Sequence, residues 1–163
     1  MRLKLDRRTK ILMDDAQEYA DKRSGCRKVA VGSVILTNSL VKTRIFGANK
    51  TLPVNCRTEG CRREELYGEN SKDHRLPSDC RAIHSEVDAI TTAARLGIPT
   101  KDSTMYITRY PCEACARAIV SAKIRKVVYG RKQEISEETK KIFEAGNVSV
   151  EWLSDWDYED VTF

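Results

Sequence analysis

A chain of 163 residues, 40% hydrophobic and 33% charged, has the composition of one folded domain rather than of a disordered or fibrous protein. No run approaches the roughly 18 apolar residues of a membrane span, and the charged N-terminus lacks the apolar segment of a secretory signal, so we expect a cytoplasmic protein with no membrane partner. The net charge of +5 is compatible with an anionic ligand without requiring one.

The first third of the chain predicts a helix followed by a β-hairpin. Apolar residues at helical spacing indicate a helix over residues 6–23, which Gly25 ends. The stretch 29–36 is rich in β-branched residues, as a buried strand should be. After a turn at Asn38, residues 40–46 predict the returning strand.

Residues 47–79 lose all periodicity and become polar. A stretch of this length without regular structure is usually a functional or separately stabilised loop. We therefore expect a single domain over residues 1–163 with a loop insertion at about residues 47–80, in which His74 is exposed. The insertion contains three cysteines, Cys56, Cys61 and Cys80.

Helices and strands alternate in the second half of the chain. The pattern predicts helices over residues 85–96, 111–122 and 137–145, and strands over 104–108, 126–129 and 148–153. The first of these helices is expected to direct inward Val87, Ile90, Thr91 and Ala94. This order implies an α/β fold, a three-layer α/β/α sandwich in which helices pack on both faces of a mixed sheet of five strands. Trp156, among acidic residues, is a candidate for contacts between subunits.

Six cysteines in a reducing compartment favour metal binding or catalysis over disulfides. Cys112 and Cys115 follow Pro111 on the first turn of a predicted helix, where both can reach one metal ion and the helix N-terminus stabilises thiolates. His84, at the start of another helix, supplies a third ligand. Three protein ligands leave the fourth position of tetrahedral zinc open, as in a catalytic site. A structural zinc, or a chance pair of cysteines, is the alternative.

Glu86 lies two residues from His84 and can reach the same site without being a ligand. Water bound to zinc loses its proton near neutral pH. Glu86 is expected to accept that proton, pass it to nitrogen 3 of a cytosine ring and help to protonate the departing amine, while the water adds to carbon 4. The combination of His-x-Glu with Pro-Cys-x-x-Cys is the signature of the zinc deaminases.

From about residue 9 to 150 the chain resembles the deoxycytidylate (dCMP) deaminase family, within the cytidine deaminase-like zinc deaminases. Four segments carry the resemblance: RKVAVGSVI at 27–35, CRAIHSEVDAI at 80–90, MYITRYPCEACA at 105–116 and IRKVVY at 124–129. The resemblance implies a five-stranded α/β/α sandwich and hydrolysis of dCMP to dUMP and ammonia, which supplies dUMP for thymidylate synthesis. It also implies a homohexamer with dCTP and dTTP as allosteric effectors.

The chain departs from the family pattern after the second strand. Members usually carry Tyr-Asn-Gly there, whereas this chain reads Ala48-Asn49-Lys50. The resemblance implies that Asn49 contacts the sugar or the base of the nucleotide. Lys50 in place of glycine leaves regulation by dCTP and dTTP open, and a lysine could equally add a phosphate contact. Two further departures are Ser85 in place of alanine and Asp88 in place of asparagine.

Several other residues are candidates for substrate binding. Ser85 adjoins both His84 and Glu86, and Tyr110 occupies a position where the family places an aromatic residue, so that it either stacks on the base or packs in the core. The sequence does not identify the group that binds the phosphate. The candidates are Arg27, Lys50 and Arg109.

The remaining four cysteines suggest a second zinc ion. Several microbial members have thiols after the first helix, in the long loop and just before the catalytic histidine, a pattern that Cys26, Cys56, Cys61 and Cys80 resemble. A closed tetrathiolate site would be structural and would stabilise a polar loop that has little core of its own. Four unrelated reduced thiols are the alternative.

Two other functions compete with dCMP deamination. A deaminase of tRNA or single-stranded DNA shares the metal motif, but it needs a basic track and exposed aromatic residues, and the Asn49 loop fits a mononucleotide enzyme better. A non-enzymatic zinc module that binds nucleotides or proteins would have closed coordination at every metal and no use for Glu86.

Overall fold

The computed structural model of the protein describes residues 6–68, 79–131 and 136–157, so His74 lies outside the described residues. Five strands form one sheet in the order β2-β1-β3-β4-β5. They are β1 (Gly32–Leu36), β2 (Arg44–Ala48), β3 (Thr104–Arg109), β4 (Lys126–Arg131) and β5 (Ser149–Trp152). The pairs β2–β1 and β1–β3 are antiparallel, whereas β3–β4 and β4–β5 are parallel. The predicted mixed sheet is confirmed.

Helices cover both faces of this sheet. They are α1 (Arg7–Arg23), α2 (Cys56–Glu59), α3 (Arg62–Tyr67), α4 (Ser85–Arg95), α5 (Glu113–Ser121) and α6 (Glu137–Ala145). On one face Leu12 of α1 packs with Val34 of β1. On the other face Ala89 of α4 and Ile119 of α5 pack with Ile107 of β3. The three-layer α/β/α sandwich expected from the sequence is therefore present. None of the helices in the described part of the chain has the length and apolarity of a transmembrane segment.

The region predicted to be an irregular loop contains two short helices, α2 and α3. Asn55 caps α2 by accepting the backbone N–H of Arg57 at 2.9 Å. Arg81 fixes α3 by donating from its guanidinium to the Glu65 carboxylate at 3.2 Å and to the Gly60 carbonyl at 3.0 Å. Helices of 4 and 6 residues leave no clear periodicity in a sequence, which is why the prediction of an unstructured insertion was wrong.

The buried face of α4 also differs from the prediction. Val87 and Ile90 are only partly buried, and Thr91 and Ala94 are exposed. The buried residues include three polar side chains and are Ser85, Glu86, Asp88, Ala89 and Ala93. Because the polar groups lie on the inner face, hydrophobic periodicity pointed to the wrong side of the helix.

Trp156 is buried in the core of this chain, so it is not on a surface that could contact another chain. Only 6% of it is exposed, and its indole Nε1 donates to Asp14 at 2.9 Å. Its ring lies so close to Gly130 that a Cβ there would come within 2.2 Å of a ring carbon. The prediction from the sequence was wrong because a local acidic stretch does not reveal a contact with α1 at the other end of the chain.

Strand β2 and helix α4 are in unusually close contact at Gly47. A Cβ at this position would lie 2.1 Å from the Ser85 carbonyl oxygen and 2.6 Å from the Ala89 nitrogen. From the neighbouring strand, the Ser33 hydroxyl donates to the same Ser85 carbonyl at 2.8 Å. These contacts fix the first turn of α4 against the sheet, and this turn carries Glu86.

We expect Gly47→Ala to lower the free energy of unfolding by about 2–3 kcal/mol, because the extra methyl group meets backbone atoms that cannot rotate away. Urea denaturation measures the change. Arg44→Ala, on an exposed position of the same strand, is the control and should cost less than about 1 kcal/mol. Equal stability of Gly47→Ala and the unmodified chain would contradict the close packing of β2 on α4.

Candidate active site

The three predicted zinc ligands meet where α4 and α5 begin. His84 is the N-cap of α4, Cys112 is the N-cap of α5, and Cys115 lies on the first turn of α5. The Nδ1 atom of His84 is 3.4 Å from Cys112 Sγ and 3.3 Å from Cys115 Sγ. Tetrahedral zinc, with bonds of about 2.0–2.1 Å to nitrogen and about 2.3 Å to sulfur, separates such donors by roughly 3.5 Å. The spacing of the donor atoms therefore fits zinc.

The two thiols differ in acidity because they share a hydrogen bond. Hydrogen bonds from Cys115 and then from His84 lower the pKa of Cys112 to about 3. The pKa of Cys115 is raised because its thiol donates in that bond and is buried beside Glu86. Because zinc is bound by thiolates, an ion at this site would displace the proton of the Cys115 thiol.

Glu86 borders the ligand group without belonging to it. Within the described ranges, the group whose donor atoms all lie within 4.8 Å of one another consists of His84, Cys112 and Cys115. Glu86 is 4% exposed, and its Oε2 accepts a hydrogen bond from the Ser85 hydroxyl at 3.1 Å. Burial raises the pKa of its carboxyl above the usual range. A buried carboxyl next to the ligand group is placed to exchange protons with a molecule bound there.

A cavity of about 330 Å³ opens onto these groups. Its size is at the lower end of the range for small-molecule sites. The zinc-site residues on its wall are His84, Glu86 and Cys112. Four of the predicted substrate-binding residues also line it, namely Asn49, Ser85, Arg109 and Tyr110. The structure therefore brings most of the predicted site into one cavity.

Asn49 positions the wall of this cavity. Its Oδ1 accepts the backbone N–H of Val31 at 2.9 Å, and its Nδ2 donates to the carbonyl of Val29 at 2.8 Å. Val29 and Val31 bond to the Asn49 side chain, and residues 29–31 are not part of β1. The strand therefore begins at Gly32, later than the sequence predicts. One lone pair and one N–H of the amide remain for a ligand.

Tyr110 packs in the core and also lines the cavity. It is 5% exposed and packs edge-on against Tyr129, with ring centroids 4.8 Å apart, and against Phe143 at 6.5 Å. It nevertheless contributes to the cavity wall. Burial raises the pKa of its hydroxyl to about 12, so the ring is neutral at physiological pH.

Two of the three phosphate candidates lie outside the cavity wall. Arg27 pairs with Glu64 at 3.5 Å, and Lys50 pairs with Asp88 at 2.8 Å. The sequence reasoning missed two other cations, Lys28 and Arg63, which do line the cavity. Each follows a cysteine of the predicted second cluster by two residues, and that spacing is the signal that could have identified them.

Lys50 and Asp88 replace the usual glycine and asparagine together. Asp88 has a side chain only 11% exposed, accepts the backbone N–H of Ala48 at 3.0 Å and binds the Lys50 ammonium. The lysine compensates a carboxylate that would otherwise be buried without a counter-ion. The two departures from the family pattern are therefore one interaction.

We expect Lys50→Met to lower the free energy of unfolding by about 2 kcal/mol, because it leaves the Asp88 carboxylate unpaired. Asp88→Asn should cost about 1 kcal/mol or less, since an amide oxygen still accepts from Ala48. The double variant should be more stable than the sum of the single effects predicts, as measured by urea denaturation. Strictly additive effects would show that the two side chains do not interact.

Cys26, Cys56, Cys61 and Cys80 are neighbours, and all are free thiols. Burial raises the pKa of Cys56, and the charges of the other three raise it further. Backbone N–H groups donate to two of the sulfurs, from Lys28 to Cys26 and from Ala82 to Cys80, both at 3.4 Å. Within the described residues the four sulfurs do not form a group with mutual distances below 4.8 Å. The structure thus groups them without closing them around one point.

Comparison with known proteins identifies the family. The sequence model of the "Cytidine and deoxycytidylate deaminase zinc-binding region" matches residues 6–131. ComE operon protein 2 of Bacillus subtilis is 30% identical over 129 residues, which are 79% of this chain and 62% of that protein. Deoxycytidylate deaminase of Saccharomyces cerevisiae is 30% identical over 135 residues, which are 83% of this chain and 41% of that protein. The chain thus matches less than two thirds of the length of either relative.

Solved structures show the same fold. The dCMP deaminase of the cyanophage S-TIM5, solved with dCMP and dUMP, superposes with a TM-score of 0.65 at 20% identity, covering 91% of this chain and 99% of the phage chain. The family match extends over most of the chain and includes all four residues of the His-x-Glu and Cys-x-x-Cys pattern. This chain belongs to the cytidine and deoxycytidylate deaminase family.

Proposed function

We propose that the protein is a zinc-dependent hydrolase that converts dCMP and water to dUMP and ammonia. The observation that carries the proposal is the meeting of His84, Cys112 and Cys115 beside a buried Glu86, at a cavity that His84, Cys112 and Glu86 line. The choice of dCMP is supported by the yeast relative, a deoxycytidylate deaminase, and by the phage enzyme of the same fold that was solved with dCMP and dUMP.

His84, Cys112 and Cys115 would hold the zinc, which when bound acts as a Lewis acid and lowers the pKa of a water molecule from roughly 15.7 to about 7. Glu86 would take one proton from water and deliver it to nitrogen 3 of the cytosine while the water oxygen bonds to carbon 4. It would then carry the remaining proton of that oxygen to the amino group, so that the bond from carbon 4 to nitrogen breaks, ammonia leaves and a carbonyl remains on carbon 4. The Ser85 hydroxyl holds the Glu86 carboxylate in place at 3.1 Å. Asn49 and Tyr110 form the wall against which the nucleotide is oriented.

A substrate panel tests the proposal. The zinc-loaded protein is assayed for ammonia release from dCMP, deoxycytidine, cytosine, dCTP, single-stranded DNA and tRNA. We expect the highest kcat/KM with dCMP. Faster deamination of either polynucleotide would instead support a nucleic acid deaminase, and the absence of ammonia from every compound would support a non-catalytic zinc module.

The same proposal includes the finer properties that the family resemblance suggests. These are a role in supplying dUMP for thymidylate synthesis, assembly into a homohexamer, and regulation by dCTP and dTTP. Lys50 replaces the glycine of the regulatory loop, and its ammonium group forms an ion pair with the Asp88 carboxylate at 2.8 Å. Sedimentation of the protein and dCMP turnover with each triphosphate added test the assembly and the regulation.

We also propose that Cys26, Cys56, Cys61 and Cys80 bind a second, structural zinc ion. Their clustering around the buried Cys56 supports this, as do the N–H groups that donate to the sulfurs of Cys26 and Cys80. A site of four thiolates would fasten α2 and α3, which have little apolar core of their own.

Metal analysis tests the second site. The unmodified protein is expected to contain two zinc ions per chain, and Cys56→Ala should contain one while α2 and α3 become more sensitive to proteolysis. Cys115→Ala should also contain one, but with the second site intact and no such sensitivity. One zinc per chain in both the unmodified protein and Cys56→Ala would contradict the structural site.

A further inference from the structure

Three basic side chains line the cavity. Of the described residues that line it, three are permanent cations, Lys28, Arg63 and Arg109, and Glu86 is the one carboxylate. Glu86 is assigned to the chemistry on the base. The cations therefore form an anion-binding environment that the deamination step itself does not use.

These three cations are not equally available to a ligand. Lys28 is paired with Glu64 at 3.3 Å, and Arg109 makes a further interaction within the chain. Arg63 pairs with no carboxylate in the part of the chain that the structure describes, and its buried Nε has no hydrogen-bond partner there. A buried guanidinium N–H without an acceptor lowers the stability of the folded protein, unless a ligand accepts its hydrogen bond.

The acidic neighbours of Arg63 on α3 are bound to other groups. Glu64 is held by Arg27 at 3.5 Å and by Lys28, and Glu65 is held by Arg81 at 3.2 Å. These pairs orient α3 and take up the two carboxylates next to Arg63 in sequence. Arg63, which lines the cavity, therefore has neither of these carboxylates as its partner.

The position of Arg63 also suits the far end of a nucleotide. It lines the same cavity as His84 and Glu86, beside which the base would react. A guanidinium binds phosphate through two parallel N–H donors, which gives both orientation and affinity.

Building on the proposed dCMP deaminase function, we infer that Arg63 of the inserted helix α3 binds the 5′-phosphate of the substrate. It thereby sets the preference of the enzyme for a nucleoside monophosphate over the nucleoside. The insertion that the cysteines frame thus contributes a specificity residue to the active site.

Steady-state kinetics of Arg63→Gln on dCMP and on deoxycytidine test this inference. We expect kcat/KM for dCMP to fall by about 10- to 100-fold, mainly through KM, because a charge-assisted contact to phosphate is lost. The kcat/KM for deoxycytidine, which has no phosphate, should change by less than about twofold. Arg63→Lys keeps the positive charge but lacks the two parallel N–H donors of a guanidinium. Its kcat/KM for dCMP should therefore lie between the values of the unmodified protein and of Arg63→Gln.

Arg62→Gln is the matched control, because it removes the same charge from an exposed position of the same helix. It should leave the ratio of dCMP to deoxycytidine activity unchanged. Isothermal titration calorimetry with dUMP and deoxyuridine measures binding without turnover. Arg63→Gln should bind dUMP more weakly than the unmodified protein does, whereas the affinity for deoxyuridine should be the same in both proteins.

The results separate this inference from the proposed function. If the unmodified protein prefers dCMP and Arg63→Gln retains the full preference and the full dUMP affinity, the role of Arg63 is wrong and the function stands. Equal losses for dCMP and deoxycytidine would also overturn it, since they indicate a general defect. If the unmodified protein deaminates neither compound and does not bind dUMP, both proposals fail.

Discussion

Replacement of Glu86 by glutamine is expected to reduce the turnover of dCMP by about 10²- to 10⁴-fold, the contribution usual for a positioned proton-transfer group. Glutamine has the same shape and can still accept the Ser85 hydrogen bond, but it cannot take a proton from water. Turnover by Glu86→Gln and its zinc content, measured on the same preparation, check the prediction.

The stability of Glu86→Gln gives a second, independent readout. Burial raises the pKa of the carboxyl, so the ionised group is less stable in the folded protein than in the unfolded chain. A neutral amide avoids that cost, and the variant should be at least as stable as the unmodified protein.

Glu113→Gln is the matched control for this variant. Glu113 is adjacent to Cys112 in sequence, but its side chain is 44% exposed and lies outside the cavity wall. It should retain full activity. Loss of zinc from Glu86→Gln, or near-normal turnover, would contradict the assignment of Glu86 as a proton carrier that does not ligate the metal.

Replacement of Cys115 by serine is expected to abolish both zinc binding at the catalytic site and detectable turnover. Cys115 is 1% exposed, and its sulfur lies 3.3 Å from His84 Nδ1. A serine hydroxyl stays protonated and is too hard a donor for zinc beside a thiolate and an imidazole. Metal analysis and the dCMP assay, before and after addition of zinc, measure the two losses.

Ala116→Ser controls for the cost of burying a hydroxyl at the next position of α5. Ala116 is fully buried, so a serine there should lower stability by about 1–3 kcal/mol without loss of zinc. Retention of catalytic zinc by Cys115→Ser would show that the cysteine is not a ligand.

The parts of the site that could be predicted from the sequence are those in which one short segment fixes the geometry. His84 and Glu86 are two residues apart at the start of α4, and Cys112 and Cys115 are three apart at the start of α5. The spacing within each pair fixes how its two side chains lie relative to each other. The periodicity of the flanking segments predicted the order of the helices and strands along the chain. The mixed sheet with helices on both faces followed from that order.

The parts that could not be predicted depend on contacts between distant segments. The pairing of Lys50 with Asp88 joins residues that lie in β2's following loop and in α4, and only the packing of Gly47 on α4 brings them together. Likewise, Arg63 lies on α3, which Arg81 contacts through Glu65, and Lys28 meets the same helix through Glu64. No local pattern encodes these contacts.

The anomalous scattering of crystals of the zinc-loaded protein, measured at the zinc edge, is the most direct test of the catalytic site. We expect one ion bound by His84 Nδ1 and by the Sγ atoms of Cys112 and Cys115, with no fourth protein donor and with the Glu86 carboxylate facing the open position. A fourth protein ligand on that ion, or a Glu86 carboxylate that points away from it, would contradict a hydrolytic deaminase site.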